Sequence, residues 1–116
     1  MAGRPVLFLR YRVETTGDVA GPLRLFVAIR PFQVNPPWQK FGDLGGVSPI
    51  RWLGGDGAGV VVEKRLVLPL TAAESFGAAT FDQGNVVEHL RAGDVPPRPE
   101  AEDAFGFAAG ALRFDL

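Results

Sequence analysis

His89 is the one histidine of the chain, and Glu88 stands immediately before it. A histidine acting as general base needs a group that orients its ring, but neighbours on a helix point about 100° apart, so Glu88 does not serve His89 in that way. His89 is expected at an exposed or helix-end position. One histidine among scattered carboxylates also lacks the converging ligand spacing of a metal centre, so neither a metal nor any other cofactor is expected. Asp43, Asp56, Asp82, Glu88 and the cluster Glu100, Glu102, Asp103 supply acids that could flank a glycosidic bond. Nothing in their spacing selects a pair, and the cluster reads as a solvated linker. The run Gly54-Gly55-Asp56-Gly57-Ala58-Gly59 lacks the Lys-Ser/Thr ending of a phosphate loop and leads into valines instead of a helix, so its glycines are assigned to turns. Ser75 lies in no nucleophile elbow. No catalytic residue is expected, and the chain is not read as an enzyme.

Aromatic and amide side chains offer more. Phe32, Trp38, Phe41 and Trp52 lie near Gln33, Asn35 and Gln39 in a proline-punctuated stretch. Flat rings beside amides can stack on a sugar and hydrogen-bond its hydroxyls. The same residues can close the end of a sandwich or dock on a neighbouring domain, since interfaces are enriched in Trp, Phe and Arg. Docking is the preferred reading and carbohydrate binding, with Trp38 and Trp52 as the stacking platform, the alternative. In both, the contact residues are Phe32, Gln33, Asn35, Trp38, Gln39 and Trp52.

The run 25–39, then Gly45-Gly46-Val47-Ser48-Pro49-Ile50, Ser75-Phe76-Gly77-Ala78-Ala79 and Phe81-Asp82-Gln83-Gly84, resembles an internal region of large bacterial proteins. Those are the discoidin, or coagulation factor 5/8 type, domain-containing proteins that carry a glycosidase-like (α/α)6 region. The likeness spans most of the chain but takes in neither a discoidin jelly roll nor the helical toroid where a glycosidase of that class would keep its acids. It implies a β-sandwich piece beside a helical, sugar-processing-like domain. No catalytic residue is carried over.

At 116 residues the chain fits one domain, residues 1–116, with enough apolar sequence for a core. It is expected to be a fragment of a larger multidomain protein, because it opens almost directly on a strand pattern and stops without a tail. Fifteen Gly and ten Pro disfavour long helices and favour short strands joined by turns. Twelve basic against thirteen acidic residues give a net charge of −1, which provides no field to gather nucleic acid or anionic lipid. Zero Cys excludes disulfides and thiolate chemistry and suits either side of a membrane. No run approaches a membrane span and the first residues lack an apolar signal core, so a soluble chain is expected and its compartment stays open. The expected partners are a helical domain of the parent protein and, on the alternative reading, an oligosaccharide. Separated from that neighbour, the fragment is expected to show an exposed apolar patch, raised mobility in the loop or self-association through a sheet edge.

These pieces need a scaffold to hold them. Apolar alternation over 6–13 predicts a first strand, and the turn-rich residues 14–22 join it to a second over 23–30, with Leu23, Leu25, Val27 and Ile29 on one face. Arg10, Arg12, Arg24 and Arg30 would share the other side of that hairpin and require stagger, carboxylate partners or an interface. Residues 31–59 are expected to be irregular, with a short strand at 48–52. A hairpin follows over 60–62 and 65–70, around Glu63-Lys64, then a strand over 75–81. Asn85 is placed to cap a helix over 86–91, with Gly93 beyond its end. Residues 94–103 are expected as an exposed connector, and the last strand over 105–115. The whole is an all-β antiparallel sandwich with one short helix and a long Gly/Pro-rich loop.

Overall fold

The computed structural model describes residues 3–33 and 47–116. Strands are β1 (Arg24–Ile29), β2 (Phe32–Gln33), β3 (Val47–Ser48), β4 (Trp52–Asp56), β5 (Gly59–Val62), β6 (Arg65–Val67), β7 (Ser75–Ala79), β8 (Glu100–Glu102) and β9 (Ala109–Asp115). A 3-10 turn (Phe81–Gln83) and one helix, α1 (Val86–Arg91), lie between β7 and β8. The architecture is all-β, as the composition implies.

Two antiparallel sheets carry it. The first has strand order β1-β9-β7, the second β6-β5-β4-β8, and β2 and β3 form a small ladder of their own. In the first sheet Val27 stands opposite Leu112 and Ile29 opposite Gly110, while Phe76 and Ala78 flank β9 from the other side. Period-two alternation therefore delivers Val27, Ile29, Phe76, Ala78, Leu112 and Phe114 to one face. They meet Leu53, Val60, Val62 and Ala101 from the second sheet in a single cluster. Gly110 lets the layers approach, since a Cβ there would stand 2.9 Å from the Leu53 side chain and from the Gly77 carbonyl.

The opposite face of the first sheet is covered by its own chain. Val86 of α1 is buried, and the Pro96 carbonyl lies so close over Gly77 that any Cβ at position 77 would collide with it. Six residues make a marginal helix, so its ends are secured by contacts. The Asn85 side chain accepts from Val87 N at 3.1 Å, and Gly93 turns the chain with φ 93°. Arg24 Nη1 donates to Gly93 O at 2.6 Å, and Arg113 pairs with Asp94 at 3.0 Å. Arg24 also lies 3.8 Å from Asp115, a carboxylate partner of the kind its placement on a strand requires.

Several expectations are corrected. Residues 6–13 belong to no strand, and Val6, Leu7, Phe8, Leu9, Tyr11 and Val13 are all exposed. Apolar alternation reports an amphipathic extended segment but not its partner, and the seven-residue β9 matches β1 at all six positions. The first hairpin is thus replaced by pairing between the two ends of the sequence. The exposed connector also ends early, because 100–102 form β8 against β4 and Asp103 is buried. Gly54 and Gly55 lie within β4, and the turn is made downstream, where Asp56 Oδ1 accepts from Ala58 N at 2.8 Å. The strand expected over 48–52 is displaced, with Ser48 closing β3 and Trp52 opening β4. α1 and the turn of the β5–β6 hairpin lie where the sequence puts them, but β6 ends at Val67, short of the 65–70 expected. Glu63 makes the hairpin turn at φ 55°, and its carboxylate accepts from the Arg51 amide.

Candidate functional site

The site begins with a buried carboxylate at the end of β8. Asp103 Oδ2 accepts from Phe81 N at 3.0 Å and Oδ1 from Phe105 N at 2.9 Å, while its backbone carbonyl accepts from Gly106 N at 3.0 Å. Asp103 N in turn donates to Arg51 O at 2.8 Å, which keeps the residue in line with β8. The Phe81 amide is the largest influence on its carboxyl. Burial works in the opposite direction, but the amides of Phe105, Phe107 and Gly106 add to the first, and the pKa is held below the ordinary aspartate value. An ionised, buried Asp103 thus joins the 3-10 turn after β7 to the loop before β9.

Three phenyl rings are set in place by that junction. Phe81 and Phe107 stack in a tilted arrangement, centroids 5.7 Å apart, and Phe105 is next along the loop. Their exposures are 70%, 45% and 83%, so rings whose backbone is pinned by a buried acid are nonetheless offered to the surroundings.

Around the corner, the outer face of the second sheet carries Trp52. It stands opposite Glu102, and Gly54 opposite Glu100. A Cβ at Gly54 would stand 2.9 Å from both the indole Cζ2 and Glu100 Cβ, so the indole lies along the strand over a residue that leaves it room. Trp52 is half-buried. A cleft of about 420 Å³ runs here, lined by Trp52, Thr80, Gln83, Arg98, Glu100 and Glu102 among others.

The backbone of β8 gives this cleft its polarity. Gly55 N donates to Pro99 O at 3.0 Å and Asp103 N to Arg51 O, so the residues whose main chain faces β4 are Pro99, Ala101 and Asp103. Glu100 and Glu102 alternate with them and turn their N–H and C=O groups outward. Among the described residues these groups have no backbone partner, but their side of the segment is flanked by the first sheet, where Ala78 N donates to Arg98 O at 2.7 Å, and by Thr80 and Gln83 across the cleft.

Of the residues expected to make contacts, Phe32 lies in β2 and is exposed, and Trp52 lines the cleft. Gln33 pairs with Val47 through the β2–β3 ladder. Asn35, Trp38 and Gln39 lie outside the described residues, so the two tryptophans are not seen together. The sequence places Glu100, Glu102 and Asp103 in a solvated linker and Phe81, Phe105 and Phe107 in strands, whereas β7 ends at Ala79, Phe81 opens the 3-10 turn, and Phe105 and Phe107 precede β9, which begins at Ala109. An acid among prolines reads as solvent-exposed, and the only hint otherwise is the Glu-Ala-Glu alternation. His89 is half-buried on α1, and among the described residues no group of three His, Cys, Asp or Glu is placed to hold a metal ion. No helix among them is long and apolar enough to cross a membrane. Compared with models of protein families, with curated proteins and with solved structures, the chain matches none.

Proposed function

We propose that the chain is a non-catalytic β-sandwich module, a scaffold and docking support within a larger bacterial protein that resembles carbohydrate-active enzymes, with a helical domain as its neighbour. The observation that carries this reading is the aromatic end. Phe81, Phe105 and Phe107 are exposed although Asp103 fixes the backbone beneath them, and large apolar groups held rigidly at a surface serve contact better than they serve solubility. Their test is hydrogen exchange of the chain alone and joined to the helical domain encoded beside it. Protection gained at residues 81 and 105–107 is the expected result, and unchanged exchange there sinks the docking role. Turnover of any glycoside by the isolated chain, with the acids Glu100 and Glu102 required, would overturn the non-catalytic reading.

Trp52 supports a second reading, carbohydrate binding. A half-buried indole beside Thr80, Gln83, Arg98 and two carboxylates combines a stacking surface with hydroxyl-bonding groups. Glycan-array binding that disappears in Trp52→Ala and Trp38→Ala, with the fold retained, would place this function ahead of docking.

A further inference from the structure

We propose that the cleft beside Trp52 takes an amino sugar, its ring stacked on the indole and its ammonium group held by Glu100 and Glu102. The inference deepens the carbohydrate reading of this cleft and rests on it.

The indole supplies the platform. A Cβ at position 54 would stand 2.9 Å from indole Cζ2 and 3.2 Å from Cη2, so the benzo ring lies over the bare backbone of Gly54. The same Cβ would stand 2.9 Å from Glu100 Cβ, which puts the stem of Glu100 at the border of that ring. Glu102 stands opposite Trp52 itself. Strand alternation keeps both glutamates on the outer face with the indole, about 7 Å apart along β8. Among the described residues neither belongs to an ion pair, and their main-chain N–H and C=O groups, which have no backbone partner, border the same cleft. Across it Gln83 Oε1 accepts from Thr80 N at 3.0 Å, so the NH2 of Gln83 is left to donate elsewhere. At about 420 Å³ the cleft is within the range of small-ligand sites. A ligand with an apolar face and several hydroxyls uses all of these groups.

Charge narrows the class of sugar. The cleft sets two carboxylates against one guanidinium, Arg98, which lies beyond Glu100 on the side away from Glu102. Ionised carboxylates only accept hydrogen bonds, so a group that only donates matches them best. A protonated amine is such a group, and it gains further from the indole face and from the charge of its acceptors. In glucosamine the amine leaves the ring in the plane of the ring. With the face of the sugar laid on the indole it therefore points sideways, to where Glu100 and Glu102 stand. Uronic and sulfated sugars would bring like charge to the same two carboxylates, and a neutral sugar would fill the platform without the charged contact. A metal ion is a poorer match, because among the described residues no third acid joins the pair.

Titration calorimetry on the full chain is the test, with circular dichroism to confirm that each variant is folded. The probes are a glucosamine tetramer with its amines protonated, the N-acetylated tetramer, cellotetraose and tetralysine. The glucosamine tetramer should bind at least about tenfold more tightly than the other two sugars, and added salt should narrow the gap. Trp52→Ala should weaken binding of all three sugars, whereas Glu100→Gln/Glu102→Gln should abolish the preference for the amine. Equal affinity for the three sugars overturns the amino-sugar assignment and leaves the carbohydrate reading standing. A preference that survives Glu100→Gln/Glu102→Gln overturns it as well, and so does tetralysine binding as tightly as the glucosamine tetramer, since the cleft would then read charge without a sugar ring. If no sugar binds at all, the carbohydrate reading falls together with the inference, and the docking role of the aromatic end is untouched.

Discussion

Asp103 Oδ2 receives the Phe81 amide at 3.0 Å, although the two residues are 22 positions apart in sequence. The contact joins the turn that leaves the first sheet to the strand that borders the second, beyond the cover formed by α1 and Pro96. Its second oxygen takes the Phe105 amide, so one carboxylate sets both approaches to the exposed phenyl rings. Hydrogen bonds to a charged acceptor are stronger than those between neutral groups, and orphaning the part-buried amides adds some of their desolvation cost.

Asp103→Ala should therefore cost about 2–4 kcal/mol of folding stability in urea denaturation at neutral pH. Asp103→Asn keeps an acceptor oxygen but offers no charge, and should cost less. The aromatic end should loosen in both, with faster amide exchange at positions 81 and 105. A loss within about 0.5 kcal/mol, the range of an ordinary surface substitution, would show that the junction carries no stability.

The same residue fixes an acid limit. Its folded pKa lies below the unfolded one, for the amide contacts favour the ionised form. Stability from this source is complete above the unfolded value of about 3.9 and is lost as pH falls through the lower, folded value. Asp94 acts in the same direction through the Val95 amide and Arg113. Denaturation midpoints should thus fall for the wild type below about pH 4 and fall less steeply in Asp103→Asn. Parallel curves for the two proteins would remove Asp103 from the acid response.

Glycine at 77 is required by contact, not by conformation. Gly77→Ala should prevent folding or cost about 3 kcal/mol or more, because its Cβ would enter the Pro96 carbonyl, which is backbone held in place over the sheet. Gly17→Ala meets nothing within 4 Å and is the matched control, expected within about 0.5 kcal/mol of the wild type. Thermal unfolding of the two variants decides the matter, and equal midpoints would mean that the Pro96 segment yields.

A double-mutant cycle on Phe81 and Phe107 should give a coupling of about 0.5–1.5 kcal/mol, as expected for tilted rings at this separation. Chemical denaturation of the two single Leu variants and the double variant measures it. Additive single losses would mean that the rings are independent ligands of the solvent and not a preformed pair.

Where the sequence was legible, local chemistry was enough. Asn85 with Gly93 bounds α1, and Leu25, Val27 and Ile29 share the inward face of β1, because capping and alternation depend on near neighbours. Partner choice was not legible. Residues 6–13 alternate as cleanly as β1, yet β9 holds the place beside it, and no local signal ranks two distant strands competing for one edge. Glu-Ala-Glu among prolines hid β8 for the same reason, since only the register with Trp52, Leu53 and Gly54 makes a strand of it. Of the candidate site, Trp52 was found from its type, whereas Asp103 and the three phenylalanines acquire their roles only when loops far apart in sequence meet.

The cover over the first sheet supplies the last prediction. α1 has six residues and is too short to persist alone, so its order depends on what grips it, and the grip at its C-terminal end is Arg24 Nη1 on Gly93 O at 2.6 Å. A cation there satisfies a carbonyl that the helix cannot and lies at the favourable end of its dipole. Arg113, pairing with Asp94, holds the next residue, so removal of Arg24 should open the cover locally without unfolding the sheets. In Arg24→Ala, native-state hydrogen exchange should accelerate about three- to tenfold at residues 89–93, and the amides of β9 that face β7 should keep their rates. If both sets accelerate together, the cover and the sheet open as one unit and α1 is no separate lid over β9.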